Sequence, residues 1–175
     1  MEVIAIKGIR TESLRKFSKR WWPVHGVVKS HRGWLFLFVT GTDESTTVVR
    51  YAELISVEMK KMVIYVRGES GSVNQFTIYE HGIACPTSKT PGKHDSWLIE
   101  NRLSLWKVSE EDQEHIRNLL CEFSDDTSGP IIYLDTSNSR LKRLAEALFS
   151  SWKLPLVWTM DSIAGLADDK DCEVI

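Results

Sequence analysis

The sequence predicts an α+β fold, in which a curved, mainly antiparallel sheet is followed by two amphipathic helices and a C-terminal βαβ element. Three observations predict this class. The chain of 175 residues is 42% hydrophobic and 26% charged, which is typical of a globular fold. Short β-favouring runs separated by turn residues dominate positions 1–108. Long apolar stripes with helical spacing follow position 109.

The first part of the chain is predicted to begin with a strand, a helix and a hairpin. Residues 3–6 are β-favouring, and Thr11 is a suitable N-cap for a helix that ends near Arg20. Residues 34–39 are apolar on both faces, which predicts a central strand covered on each side. The other predicted strands are 24–29, 47–51, a hairpin over 54–66 with its bend at Lys60 and Lys61, 73–79, 97–99 and 103–108.

The last third of the chain is predicted to be mainly helical. Ser109 precedes three carboxylates, which is typical of a capped helix start. Residues 131–134 are predicted to form a buried strand, and Ser137 or Ser139 to cap the helix after it. With a final strand at 156–158, this order predicts a βαβ unit with parallel strands.

One α+β domain over residues 1–160 is the expected organisation, with a subdivision near 100–129 left open. Residues 161–175 carry five acids and one lysine, which makes them a candidate for a disordered acidic tail. No apolar stretch approaches the length that spans a bilayer. Three cysteines, none at metal-ligand spacing, favour a reducing compartment such as the cytoplasm.

Charge is distributed unevenly along the chain. The net charge is −2, yet residues 1–32 hold eight basic and two acidic side chains, a local charge of +6. Three interpretations of this asymmetry stay open. The basic part binds an anionic partner, or the basic and acidic ends of the chain neutralise each other within the fold or between copies, or both ends are simply solvated surface.

A mixture of cations and aromatic residues in the basic part is the main candidate for a partner-binding surface. Cations attract phosphates or carboxylates, and exposed indoles and guanidinium groups dominate protein interfaces. A protein partner is the leading expectation, with nucleic acid or an anionic membrane as alternatives. The alternative without a binding role places the aromatic residues in the core and the cations on a solvated helix face. The residues of this predicted patch are Arg15, Lys16, Lys19, Arg20, Trp21, Trp22, Lys29 and Arg32.

A weaker candidate is an anion or metal site in the predicted loop before the second helix. The spacing of Asp135, Ser137 and Ser139 resembles the metal-adhesion motif of von Willebrand factor A-type domains over residues 131–158. That resemblance implies a divalent cation held by these three side chains. The alternative is that they form turn and cap hydrogen bonds.

Function is predicted to be non-enzymatic binding of a macromolecule, of the inhibitor, immunity or adaptor type, with no cofactor. A nucleic-acid-binding protein using the same basic segment is the first alternative. A small enzyme that uses His81, Cys85 or His94 is the second, although no assembled catalytic motif is visible. Glu80, His81 and Gly82 equally fit a hairpin turn.

Overall fold

The computed structural model describes residues 2–21, 25–40, 45–69, 72–85, 93–124, 133–154 and 172–175. The strands are β1 (Glu2–Lys7), β2 (Gly26–His31), β3 (Trp34–Val39), β4 (Val63–Glu69), β5 (Ser72–Glu80), β6 (Ile83–Cys85) and β7 (Cys172–Val174). The helices are α1 (Thr11–Trp21), α2 (Ser45–Met59), α3 (Lys93–Glu100), α4 (Glu110–Ser124) and α5 (Tyr133–Ser151).

The described strands form one sheet in the order β6-β5-β4-β1-β3-β2-β7, and every neighbouring pair is antiparallel. The prediction of an α+β fold with a mainly antiparallel sheet is therefore confirmed. From β1 to β4 the chain follows the order βαββαβ, and those four strands lie in the order β4-β1-β3-β2. This is the topology of the ferredoxin-like split βαβ motif, here extended at both sheet edges.

Both faces of the sheet are buried, and each face supports a separate apolar core. Side chains alternate along a strand, so Val3 and Ala5 of β1 face one core and Ile4 and Ile6 face the other. The first core is closed by α3, α4 and α5, and the second by α1 and α2. Strand β3 lies between β1 and β2 and contributes to both cores, as its apolar sequence predicts.

The predicted strand at 47–51 and the first arm of the predicted hairpin, up to residue 59, were wrong, because these residues form α2. The β-branched residues favour strands locally, but Val48, Tyr51, Ala52 and Ile55 are buried at helical spacing. That stripe packs on the sheet, and the gain in burial outweighs the local propensity. The strand after it does match the second arm of the predicted hairpin, since β4 begins at Val63.

The predicted strands at 97–99 and 103–108 were also wrong. Residues 97–99 belong to α3, whose buried side chains are Asp95, Ser96 and Ile99. Two of these are polar, so hydrophobicity alone does not reveal the helix. Turns follow α3, and Leu103 and Trp106 point into the core at a spacing of three residues.

The fourth helix begins as predicted. The amide of Asp112 donates to Ser109 Oγ at 3.2 Å, and Ser109 Oγ donates to Asp112 Oδ2 at 2.6 Å. In this arrangement the serine N-cap accepts from an amide of the first turn, and the carboxylate three residues later accepts from the serine hydroxyl. The apolar stripe of α5 is also confirmed, since Leu141, Leu144 and Leu148 are buried against the sheet.

The start of α5 corrects the predicted βαβ element. Tyr133 and Leu134 lie in the helix, so the prediction of a strand was wrong for these two residues. Ser137 and Ser139 lie inside the helix and do not cap it. Residues 131–132 and the predicted strand at 156–158 lie outside the described residues.

The end of the acidic segment joins the sheet. Cys172–Val174 forms β7 and pairs with β2, whereas residues 161–171 lie outside the described part of the chain. Among the described helices, none combines the length and the apolar character needed to cross a membrane.

Candidate functional site

Helix α1 carries four cations of the predicted patch on its outer face. Leu14 and Phe17 are buried against the second core, and their spacing fixes the orientation of the helix. The side chains of Arg15, Lys16, Lys19 and Arg20 are exposed. Trp22 lies outside the described residues, and so does the side chain of Trp21.

Much of the charge on α1 is engaged within the protein. Arg15 Nη2 lies 2.8 Å from Glu173 Oε2 of β7, and Lys16 Nζ lies 2.8 Å from Glu12 Oε1. Arg20 also has an interaction partner within the protein. The pair between Arg15 and Glu173 is a contact of the kind expected if the basic and acidic ends neutralise each other.

The other two cations of the predicted patch lie away from α1. Val28 faces the second core, so the neighbouring Lys29 points to the opposite face of the sheet, where it is half-buried and has a partner. Arg32 lies in the turn between β2 and β3. The structure therefore brings together Arg15, Lys16, Lys19 and Arg20 but separates Lys29 and Arg32 from them.

A second basic surface lies at one end of the sheet, where β1 ends, β4 begins and β2 turns into β3. We call it the basic rim. Lys7 is paired with Trp34 beside the β2–β3 turn, and the Lys7 amide donates to Met62 O at 3.1 Å. Arg32 Nη1 donates to Lys153 O at 3.3 Å after the end of α5. The basic rim consists of Lys7, Arg32, Lys61, Lys107 and Lys153.

Three tryptophans form a continuous cluster beneath the basic rim. Lys7 Nζ lies 5.6 Å from the ring centroid of Trp34, within range of a cation–π interaction. The centroids of Trp34 and Trp152 are 5.7 Å apart, and those of Trp106 and Trp152 are 6.3 Å apart. Trp152 Nε1 donates to Trp106 O at 3.0 Å. Lys107 and Lys153 directly follow two of these indoles, so the cluster fixes the backbone from which they project.

Three cations of the basic rim have left-handed backbone conformations. Arg32 has φ 47° and Gly33 has φ 79°, as the two central residues of a type I′ hairpin turn require. Lys107 has φ 59° and Lys153 has φ 54°. Glycine or asparagine is the usual residue at such positions, because a side chain there costs about 1 kcal/mol. Long cations at three such positions are a departure from the ordinary turn chemistry.

Lys153 occupies the glycine position of a helix-terminating motif, and Lys107 occupies the same position at the end of the turns that follow α3. The amide of Lys153 donates to Ser150 O at 2.8 Å, and that of Leu154 donates to Phe149 O at 2.9 Å. These two bonds define a Schellman motif with Lys153 at C′. Lys107 has the same pair of bonds around it. A cation at the C-terminal end of a helix also interacts favourably with the helix dipole.

The basic rim is electrostatically unbalanced. Burial and the nearby ammonium of Lys107 lower the pKa of Lys7, against a smaller opposing effect of Glu80. Glu80 itself pairs with Arg102 at 3.2 Å. Within the described ranges, no cation of the basic rim forms an ion pair. The described residues thus place the five cations at this end of the sheet without a directly paired acid.

The groups proposed for a small enzyme lie in different environments. Cys85 is buried, and burial raises the pKa of its thiol to about 12, so the thiol is protonated at neutral pH. His81 lies in an exposed turn with φ 50°, which confirms the hairpin interpretation. His94 is exposed and stacks on Trp97 with centroids 6.2 Å apart.

Asp135, Ser137 and Ser139 lie in the first turns of α5 instead of the loop that was predicted for them. Their side chains lie outside the described part of the structure, so the cation site stays a prediction. Across the described residues, no group of three or more metal-ligating side chains is assembled.

Comparison with known proteins adds no assignment: no family model, no curated protein and no solved structure matches the chain. The case for the basic rim as a functional site therefore depends on its geometry alone.

Proposed function

We propose that this protein is a non-enzymatic binding protein whose basic rim holds an acidic surface of a protein partner. The proposal covers inhibitor, immunity and adaptor proteins. It includes a cytoplasmic location, because the number and spacing of the cysteines favour a reducing compartment. One observation carries the proposal. Five cations that are far apart in the sequence converge at one end of the sheet, without ion pairs among the described residues.

The construction of the basic rim favours binding of a macromolecule. The backbones of Arg32, Lys107 and Lys153 are held in tight turns by main-chain hydrogen bonds and by the tryptophan cluster. A backbone that is already ordered loses less conformational entropy on association.

A protein partner agrees with the burial of the aromatic side chains better than single-stranded nucleic acid does. Stacking on bases needs exposed rings, yet Trp34 and Trp106 are 4% and 1% exposed and Trp152 is half-buried. Recognition of single-stranded RNA on an open sheet is also disfavoured, because helices cover both faces. The phosphate backbone of a duplex remains the alternative ligand for the basic rim.

The test compares two double charge reversals that change the net charge equally. Lys107→Glu/Lys153→Glu alters the basic rim, and Lys16→Glu/Lys19→Glu alters the outer face of α1. Binding of a fluorescent ten-residue glutamate peptide and of a ten-base-pair DNA duplex is measured by anisotropy over a range of salt concentrations. We expect the rim variant to lose roughly tenfold or more in affinity for the glutamate peptide, and the α1 variant to stay within about twofold of wild type.

Two outcomes contradict the proposal. Equal binding of the glutamate peptide by wild type and the rim variant excludes the basic rim as the acidic-surface site. Much tighter binding of the duplex, with an affinity that falls steeply as salt rises, assigns the rim to nucleic acid instead.

A further inference from the structure

The edge strand β7 occupies a site that is built from β2 and α1. Val27, Val28 and Lys29 of β2 pair with Val174, Glu173 and Cys172 in antiparallel register. The amide of Gly26 donates to Ile175 O at 3.2 Å, and the amide of Ile175 donates to Gly26 O at 3.0 Å. Main-chain bonds of this kind are how a sheet edge accepts an added strand of any sequence.

Two side-chain contacts give this site sequence preference. Glu173 lies opposite Val28 and therefore on the α1 side of the sheet, where its carboxylate meets Arg15 at 2.8 Å. Arg15 Nη2 also lies 3.5 Å from Val174 O and donates to it. Ile175 packs against the second core. The site thus holds an acidic residue, Glu173, followed two positions later by an aliphatic one, Ile175.

Among the described residues, β7 buries little apolar surface. Val174 is 77% exposed, Cys172 is half-buried and only three residues are in strand conformation. The ion pair of Arg15 and Glu173 has both side chains almost half exposed, and pairs of this kind contribute little stability. Elements with little buried apolar surface open locally while the rest of a protein stays folded.

We propose that the edge of β2, together with Arg15, is a strand-binding site for an extended segment of a partner protein, and that β7 fills it as an intramolecular competitor. The partner segment carries an acidic residue in the position of Glu173 and an aliphatic residue in the position of Ile175. This site is separate from the basic rim, so either proposal can fail alone.

The experiment uses the full chain with Glu173→Arg, which replaces attraction to Arg15 by repulsion. The probe is a synthetic peptide with the sequence of residues 171–175, Asp-Cys-Glu-Val-Ile, added to millimolar concentration. Binding is followed by the amide chemical shift of Gly26 in nitrogen–proton NMR spectra. We expect Glu173→Arg to bind the peptide roughly five- to tenfold more tightly than wild type, where β7 competes at high effective concentration.

Two controls make the test specific. Arg15→Glu/Glu173→Arg restores an attractive pair of reversed sign, so β7 should close again and peptide binding should fall to the wild-type level or below. Glu146→Arg on α5 changes the net charge equally, far from β7 in sequence, and should leave binding unchanged.

Three results overturn the proposal. One is the failure of the folded Glu173→Arg variant to bind the peptide at millimolar concentration. Another is equal binding of a peptide with lysine in place of its glutamate. Finally, self-association of Glu173→Arg that the peptide does not reverse would assign the released edge to a second copy of this chain.

Discussion

Arg32 and Lys153 join two turns of left-handed backbone through one hydrogen bond, from Arg32 Nη1 to Lys153 O at 3.3 Å. The bond links the β2–β3 hairpin to the end of α5, two parts of the chain separated by 121 positions. It therefore fixes the relative position of two cations of the basic rim, and both belong to turns whose geometry favours glycine or asparagine.

The first prediction concerns this departure from ordinary turn chemistry. Replacing Lys107 or Lys153 by glycine relieves the left-handed strain, and each change should raise the free energy of unfolding by about 0.5 to 1 kcal/mol. The same changes should weaken binding of the glutamate peptide. Urea denaturation and anisotropy measure the two effects.

Lys153→Ala is the matched control for this prediction, because it removes the charge and keeps a side chain at positive φ. It should weaken binding without any gain in stability. Loss of stability in both glycine variants would show that the ammonium groups stabilise the fold more than the strain opposes it.

The second prediction concerns the buried thiol of Cys85. Its pKa is raised to about 12 from an ordinary value of 9. Between these two pH values the thiol therefore stays protonated in the folded state, whereas it is ionised in the unfolded state. The contribution of the Cys85 thiol to the free energy of unfolding is complete below pH 9. It declines as pH rises towards 12, by at most about 1.4 kcal/mol per pH unit.

Denaturation at several pH values between 8 and about 11 measures this effect. Cys85→Val should show a smaller decline in stability than wild type over that range. In the native protein at pH 8, iodoacetamide should label the exposed Cys121 and leave Cys85 unmodified. Rapid labelling of Cys85 would contradict both its burial and its raised pKa, and would revive a cysteine mechanism.

The third prediction concerns the close approach of β2 and β3 at Gly26. A Cβ at this position would lie 2.4 Å from Phe38 O and 2.7 Å from Leu37 Cδ1. Gly26→Ala should therefore reduce the free energy of unfolding by about 1 to 3 kcal/mol, as overpacking does in cores. Thermal and urea denaturation provide the measurement.

Gly33→Asn is the control for the glycine substitution. A Cβ at Gly33 meets no atom within 4 Å, and asparagine tolerates the positive φ of this turn, so stability should change by less than about 1 kcal/mol. If Gly26→Ala is as stable as wild type, β2 and β3 do not approach as closely at Gly26 as described.

Sequence patterns predicted the parts of the fold in which local preference and burial agree. The apolar run of β3 and the stripe of Leu141, Leu144 and Leu148 needed no knowledge of distant residues. Helix α2 was predicted wrongly, because valines at 48 and 49 favour a strand locally. The helical spacing of its buried residues favours a helix only because those residues pack on a sheet, and that sheet is made from other segments of the chain.

The basic rim was beyond the reach of sequence reasoning for a related reason. Its five cations are spread between positions 7 and 153, and only the strand order together with the packing of α5 and the turn at Lys107 on the sheet brings them together. The dense cations of α1 attracted attention as a cluster in sequence, yet Arg15 and Lys16 are paired with acids in the fold. Local charge density indicates a candidate surface, whereas the fold decides which charges remain available.

The cations of the basic rim and the side chains of the two apolar cores come from different positions in the sequence. Rim cations stand at the ends of strands and in turns, while alternate positions within the strands build the two cores. Single substitutions at the turn positions alter the charge of the rim and leave the strand register intact. Substitutions at these turns should therefore change the charge of the rim while both cores keep their packing.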